Sequence, residues 1–175
     1  MFEIRPLDPD TYRRQTRRST LIIAVLFLVL AMLLSTLTVQ LLGQPGGDNF
    51  WLNVGGVAVA LLIVATLVRQ VFWSQPWMAS AVYGWQLKRN LMRITNVMHQ
   101  VKAQVVFHDP QAMRLLRFYH LGLSQMHSLD GNSSDHSELI REMDQHKAQM
   151  EAQGLSVDQP RLEPQWLERM KSQKV

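Results

Sequence analysis

Residues Leu21 to Leu42 read LIIAVLFLVLAMLLSTLTVQLL, 22 residues without one charged side chain. No other feature of the chain limits its fold so strongly. As an α-helix rising about 1.5 Å per residue, the run extends roughly 33 Å, against about 30 Å for the hydrocarbon core of a bilayer. A helix on the surface of a soluble bundle would carry a polar stripe, and this run has none. It reads as a transmembrane helix. Residues 50–72 form a second candidate, uncharged and apolar from Val54 to Val68, with Asn53 near its start and Arg69 and Gln70 at its finish. Arg69 lies where a long cationic side chain can snorkel toward head groups.

The link between the two runs, GQPGGDN at residues 43–49, is short, rich in turn residues and free of Lys and Arg. It forces an antiparallel hairpin. Arg5, Arg13, Arg14, Arg17 and Arg18 precede the first run, and Arg69, Lys88, Arg89 and Arg93 follow the second. The positive-inside rule places both termini in the cytoplasm and the Gly-rich loop outside. On this reading Arg13, Arg14, Arg17, Arg18, Arg69, Lys88 and Arg89 are the topology anchors. Trp51, Trp73, Trp77, Tyr83 and Trp85 cluster at the two ends of the second run, as interfacial aromatic residues do.

An arginine-rich head before an apolar run also opens an export signal, and Thr16-Arg17-Arg18-Ser19-Thr20-Leu21 approximates a twin-arginine address. Secretory apolar regions span about 7 to 15 residues and end at small residues suited to cleavage. This run is longer, and STLTVQLLGQPGG supplies no such end. A second run then returns the chain to a Lys- and Arg-rich side. The expectation is a retained anchor.

Small residues mark where the two runs meet. Ala31, Ser35 and Thr38 share one face of the first helix, and Gly56 and Ala60 share one face of the second. Folding the chain about the loop brings both sets to similar depth, and small residues let helix backbones approach closely in lipid.

After the hairpin, Pro76 ends any continuing helix and Ser74 offers a cap. Trp77, Ser80, Gly84, Leu87, Leu91, Ile94, Met98, Val101 and Val105 recur in three- and four-residue steps, predicting one long helix over about 76–106 with a heptad seam. Asp109 and Pro110 predict the cap and first turn of a second helix, carrying Ala112, Leu116, Tyr119, Leu123 and Met126 to Asp130-Gly131. A third is expected from about His136, with Leu139, Met143, His146 and Met150 on one face and Gly154 past its end. A short fourth begins at Pro164 with Trp166, Leu167 and Met170. The fold class is therefore an all-α membrane protein, an antiparallel transmembrane hairpin followed by a small cytoplasmic bundle of three to four helices. Its segments are an Arg-rich head at 1–20, helices at 21–42 and 50–72 joined by the loop 43–49, a helical domain at 73–160, and a short helix and tail at 161–175.

Charge divides between these helices. Residues 73–107 hold Lys88, Arg89, Arg93 and Lys102 and no acid, whereas residues 130–163 hold eight acids against Arg141, Lys147 and Arg161. The basic helix can lie on anionic lipid, where each cation is worth about 1 kcal/mol, or pack on the acidic helix 136–153. Both readings stand at this point.

Few chemistries fit the remaining residues. With no cysteine, disulfides, thiolate metal sites and cysteine nucleophiles are excluded. Phosphate-loop, dinucleotide, HExxH and GxSxG patterns are absent. His120 and His127 lie near one helical face but lack nearby carboxylates, so they read as a solvated polar face and not a metal site. The Asn132-Ser133-Ser134 sequon is idle on a cytoplasmic loop. The region from Trp73 onward carries 12 basic and 10 acidic residues, too weak a field for a nucleic-acid module. No cofactor is implied and no catalytic residue can be named.

The segments MFEIRPLDPDTYRRQTRRST, WSQPWMASAVYGWQLKRNLMRI and FYHLGLSQMHSLDG, set around two apolar runs, resemble a family of small Gram-negative inner-membrane proteins catalogued only as a domain of unknown function. The resemblance implies a two-span protein with a cytoplasmic helical domain, and it brings no assigned activity. The expected function is a non-enzymatic, membrane-anchored interaction or accessory protein whose partners are the lipid bilayer and a protein, or a second copy engaged through the heptad seams. An oligomeric channel or transport component is the alternative, and a membrane enzyme the third reading.

Overall fold

The computed structural model describes residues 1–131 and 137–172. The chain is all-α: α1 (Pro9–Leu42), α2 (Phe50–Gln70), α3 (Ala79–Thr95), α4 (Met98–Val106), α5 (Pro110–Asp130), α6 (Ser137–Ala152) and α7 (Pro164–Ser172). Two 3-10 turns, Phe72–Ser74 and Pro76–Met78, separate α2 from α3. A two-residue ribbon pairs β1 (Phe2–Glu3) with β2 (Arg161–Leu162), Phe2 opposite Leu162. The chain divides into two compact units, residues 14–82 and residues 1–13 with 83–175.

The first unit is the hairpin. Helices α1 and α2 are both long and apolar enough to cross a membrane. They meet through small residues: a Cβ on Gly56 would stand 2.6 Å from the Ser35 Cα and 2.9 Å from the Leu34 carbonyl carbon. Ala60 is fully buried, and Ala31 and Val64 nearly so. The Ser35 hydroxyl donates to the Asn53 side-chain oxygen, and Thr38 donates back to the Leu34 carbonyl at 2.7 Å. Away from this seam the large side chains face outward: Leu28 is 58% exposed, Met32 70% and Leu62 67%. At the other end, Ser19 is buried and its hydroxyl donates to the Trp77 carbonyl at 2.7 Å.

In the second unit α5 packs against α4, α6 and α7. Met113, Leu115 and Phe118 on α5 are fully buried. One core joins Ile94, Val101 and Phe118 to Trp166, Leu167 and Met170, and another joins Tyr12, Tyr83, Leu87, Leu91 and Leu129. Sequence punctuation sets the ends. Asp109 caps α5 by accepting from the Gln111 and Ala112 amides at 3.0 and 2.9 Å, with Pro110 in the first turn. Gly131 closes α5 in the left-handed conformation, and Gly154 does so after α6. Beyond α6 the Leu155 amide bonds the Met150 carbonyl at 2.9 Å and the Gly154 amide bonds that of Glu151 at 3.0 Å, a Schellman motif.

Two expectations are corrected. The basic helix expected over 76–106 is two helices, α3 and α4, broken at Asn96 and Val97. There the Val97 amide tightens to the Ile94 carbonyl, three residues back. The break keeps Val97 buried with Val101. The head at 1–20 is also no separate segment, because residues 1–13 belong to the helical domain. Phe2 stacks on Tyr83 at 5.6 Å and meets the Phe118 ring edge-on at 6.4 Å, and the Arg5 amide donates to the Tyr83 hydroxyl at 3.0 Å. Tyr12 is buried over Gly84, whose missing side chain makes room for the phenol. The small residue in the heptad seam therefore serves an aromatic contact. His136 and the Asn132-Ser133-Ser134 sequon lie outside the described residues.

Candidate functional site

The cations named from the sequence fall into two groups. Arg14, Arg17, Arg18 and Arg69 are exposed. Arg13 instead reaches the end of α5: its guanidinium donates to the Ser128 carbonyl at 3.3 Å and also contacts the Leu129 carbonyl and Asp10. Lys88 pairs with Asp130 at 2.9 Å, at the same helix end. Two positive charges thus meet the negative end of the α5 dipole, where such charges are favourable. Arg89 lies over the Trp85 ring, 4.8 Å from its centroid. Among the packing residues, Ser35, Gly56, Ala60 and Ala31 meet in the hairpin seam described above, and Thr38 bonds within its own helix.

The basic helices reach acids on several elements. Lys102 on α4 pairs with Glu142 on α6 at 3.4 Å, Lys88 with the end of α5, and Arg93 with Glu168 on α7 at 3.8 Å. Packing on the acidic helix is therefore one contact among three. All three pairs are exposed, and such pairs typically contribute about 0 to 1 kcal/mol.

Beneath the Lys102–Glu142 pair lies a cleft of about 190 Å³ between α4, α5 and α6. Its notable residues are His120 and His146, 3% and 4% exposed. The reading of His120 as part of a solvated face is overturned, and its partner is His146 on another helix instead of His127. Packing α6 on α5 brings the two rings edge-to-face, with centroids 5.5 Å apart. His146 Nε2 lies 2.9 Å from the Met113 carbonyl oxygen. A carbonyl only accepts, so Nε2 carries the proton and Nδ1 presents a lone pair. Among the described residues neither Nδ1 has a hydrogen-bond partner.

Burial sets the ionisation of both rings. It pushes His120 down to about 4; His146 and the cations Arg117 and Lys102 push the same way, and Glu142 opposes. His146 is also lowered by burial and by Arg117, against its bond to Met113. Both rings are neutral near pH 7. That tuning differs from a general base poised near its working pH. Among the described residues, no three His, Cys, Asp or Glu side chains converge as a metal site. The pair is best described as a polar joint between α5 and α6. His146 was legible as a member of the apolar face with Leu139, Met143 and Met150; its meeting with His120 was not, because periodicity does not set the relative rotation of two helices.

Residues 2–167 match a family described as "Protein of unknown function (DUF3087)", and the chain belongs to that family. No curated protein and no solved structure matches it.

Proposed function

We propose that this protein is a membrane-anchored, non-enzymatic interaction or accessory protein, held by a two-span hairpin and acting through its helical domain. The observation that carries the reading is the outward face of α1 and α2. Leu28, Met32, Leu33 and Leu62 are each more than half exposed, and in water such side chains would forgo about 1–2 kcal/mol apiece. Hydrocarbon is the solvent that removes this penalty. The loop at 43–49 lacks Lys and Arg while Arg14, Arg17, Arg18 and Arg69 flank the other ends, which supports cytoplasmic termini. The inner membrane is the bilayer that the family resemblance implies.

The helical domain fits a docking role. It has its own buried core and carries charged pairs between helices on its surface. Affinity purification of the full chain from mildly solubilised membranes, with crosslinking, tests the reading. A reproducible partner, or a defined dimer, is the expected result. A strictly monomeric protein with no partner would overturn it, and a large ring of copies would favour the channel alternative.

A further inference from the structure

A second cleft, of about 260 Å³, lies within the helical domain between α3, the first residues of the chain and α7. Gln86, Arg89, Asn90 and Arg93 line one side, in steps that place them along one stripe of α3. Phe2, Leu162 and Leu167 line the other. A cationic, amide-bearing wall thus faces an apolar one. Trp85 stands at the cleft as well, 47% exposed, with the Arg89 guanidinium over its ring.

The charges in this cleft are under-compensated. Lys88 and Lys102, from the same acid-free stretch, each have a carboxylate within 3.4 Å. Arg89 has none among the described residues. Among the described residues Arg93 has only Glu168, at 3.8 Å, and that carboxylate also pairs with Lys171 at 2.9 Å. Two guanidiniums, each with planar donors suited to phosphate oxygens, therefore stand on one wall, where Arg89 pairs with no carboxylate among the described residues and Arg93 shares Glu168 with Lys171. The volume is below that of drug-sized ligand pockets and suits a headgroup better than a whole lipid.

We propose that this cleft binds an organic phosphate, the chemistry of an anionic phospholipid headgroup. Arg89 and Arg93 hold the phosphate, Asn90 and Gln86 donate to its ester or glycerol oxygens, and Phe2 and Leu167 meet the first carbons. Arg89 follows α2, a candidate membrane span, by about 20 residues in the sequence, so anionic lipid is one source of such a phosphate. The membrane reading bears only on the source of the phosphate, and carbonate extraction of membranes tests that reading separately.

The experiment uses the full chain in mild detergent. Native mass spectrometry counts retained phosphatidylglycerol and phosphatidylcholine, and a thermal-shift titration uses glycerol 3-phosphate. The proteins are wild type, the double variant Arg89→Gln/Arg93→Gln, and Arg141→Gln as a charge control outside the cleft. Wild type and Arg141→Gln should prefer phosphatidylglycerol, and the double variant should lose that preference by about tenfold or more, as expected on losing a charge-assisted contact. A shift with glycerol 3-phosphate that the double variant abolishes, without lipid preference, supports the site with a soluble source. Equal binding by wild type and the double variant, or no preference and no shift, overturns the proposal. Both substituted side chains are exposed, so an unchanged melting temperature without ligand confirms that the variant is folded.

Discussion

The hairpin and the helical domain use apolar residues in opposite ways. In the hairpin, Ala31, Gly56 and Ala60 are inside with Val64, and large residues such as Leu28, Met32 and Leu62 are outside. Gly56 touches the Ser35 backbone while Met32 is 70% exposed. In the helical domain large side chains are inside, Phe118 and Leu115 fully so, and the ion pairs are outside. Burial of apolar area drives the second arrangement. It cannot drive the first in lipid, where close backbone approach and dispersion take over. Under the proposed function, the two units face two solvents.

The largest break in this comparison comes from the domain core. Phe118→Ala should cost about 3–5 kcal/mol, read by chemical denaturation in detergent, while leaving retention in carbonate-washed membranes unchanged. Gly56→Leu should instead act on the hairpin and leave the denaturation of the helical domain unchanged. Its side chain would collide with the Ser35 backbone and cost about 1–3 kcal/mol of hairpin packing, visible as loss of crosslinking between cysteines placed on α1 and α2. At Gly55, where a side chain would meet open space, the same change should be nearly silent. The adjacent glycines therefore separate packing from mere composition.

Asp109→Ala should cost about 1–2 kcal/mol, from a lost cap on α5 together with the 2.8 Å pair to Arg169 on α7. Asp109→Asn should restore most of the cap and none of the ion pair, so the two variants divide the effect.

The smallest effect is the response to pH. His120 is depressed in the folded state to about 4, so between roughly 6.5 and 4 the unfolded chain binds more protons. Stability is full above the unfolded value and declines as pH falls through this window, by about 1 kcal/mol at pH 5.5. His146 contributes in the same direction. Denaturation midpoints against pH should show this slope in wild type and a shallower one in His120→Leu.

Much of the helical order was legible because each boundary carries its own chemistry. Asp109-Pro110, Gly131, Gly154 and Pro164 mark ends that the backbone respects. The N-terminal contribution was not legible. A two-residue strand has no periodicity, and Phe2, Ile4, Leu7 and Tyr12 are isolated apolar residues among charges; their recurrence before an arginine cluster was the available signal. The break at Asn96 was hidden because the heptad spacing continues through it. The phosphate cleft draws on three separate parts of the sequence, and only packing brings them together.

The central claim is that α1 and α2 cross a bilayer and leave both flanks on one side. The chain has no cysteine, so single substitutions at exposed positions can be labelled without background. Gln44→Cys, in the 43–49 loop, should react with a membrane-impermeant maleimide in intact spheroplasts. Arg14→Cys and Ser156→Cys should react only after permeabilisation. Labelling of Arg14→Cys or Ser156→Cys in intact spheroplasts, or protection of Gln44→Cys there, would contradict the account.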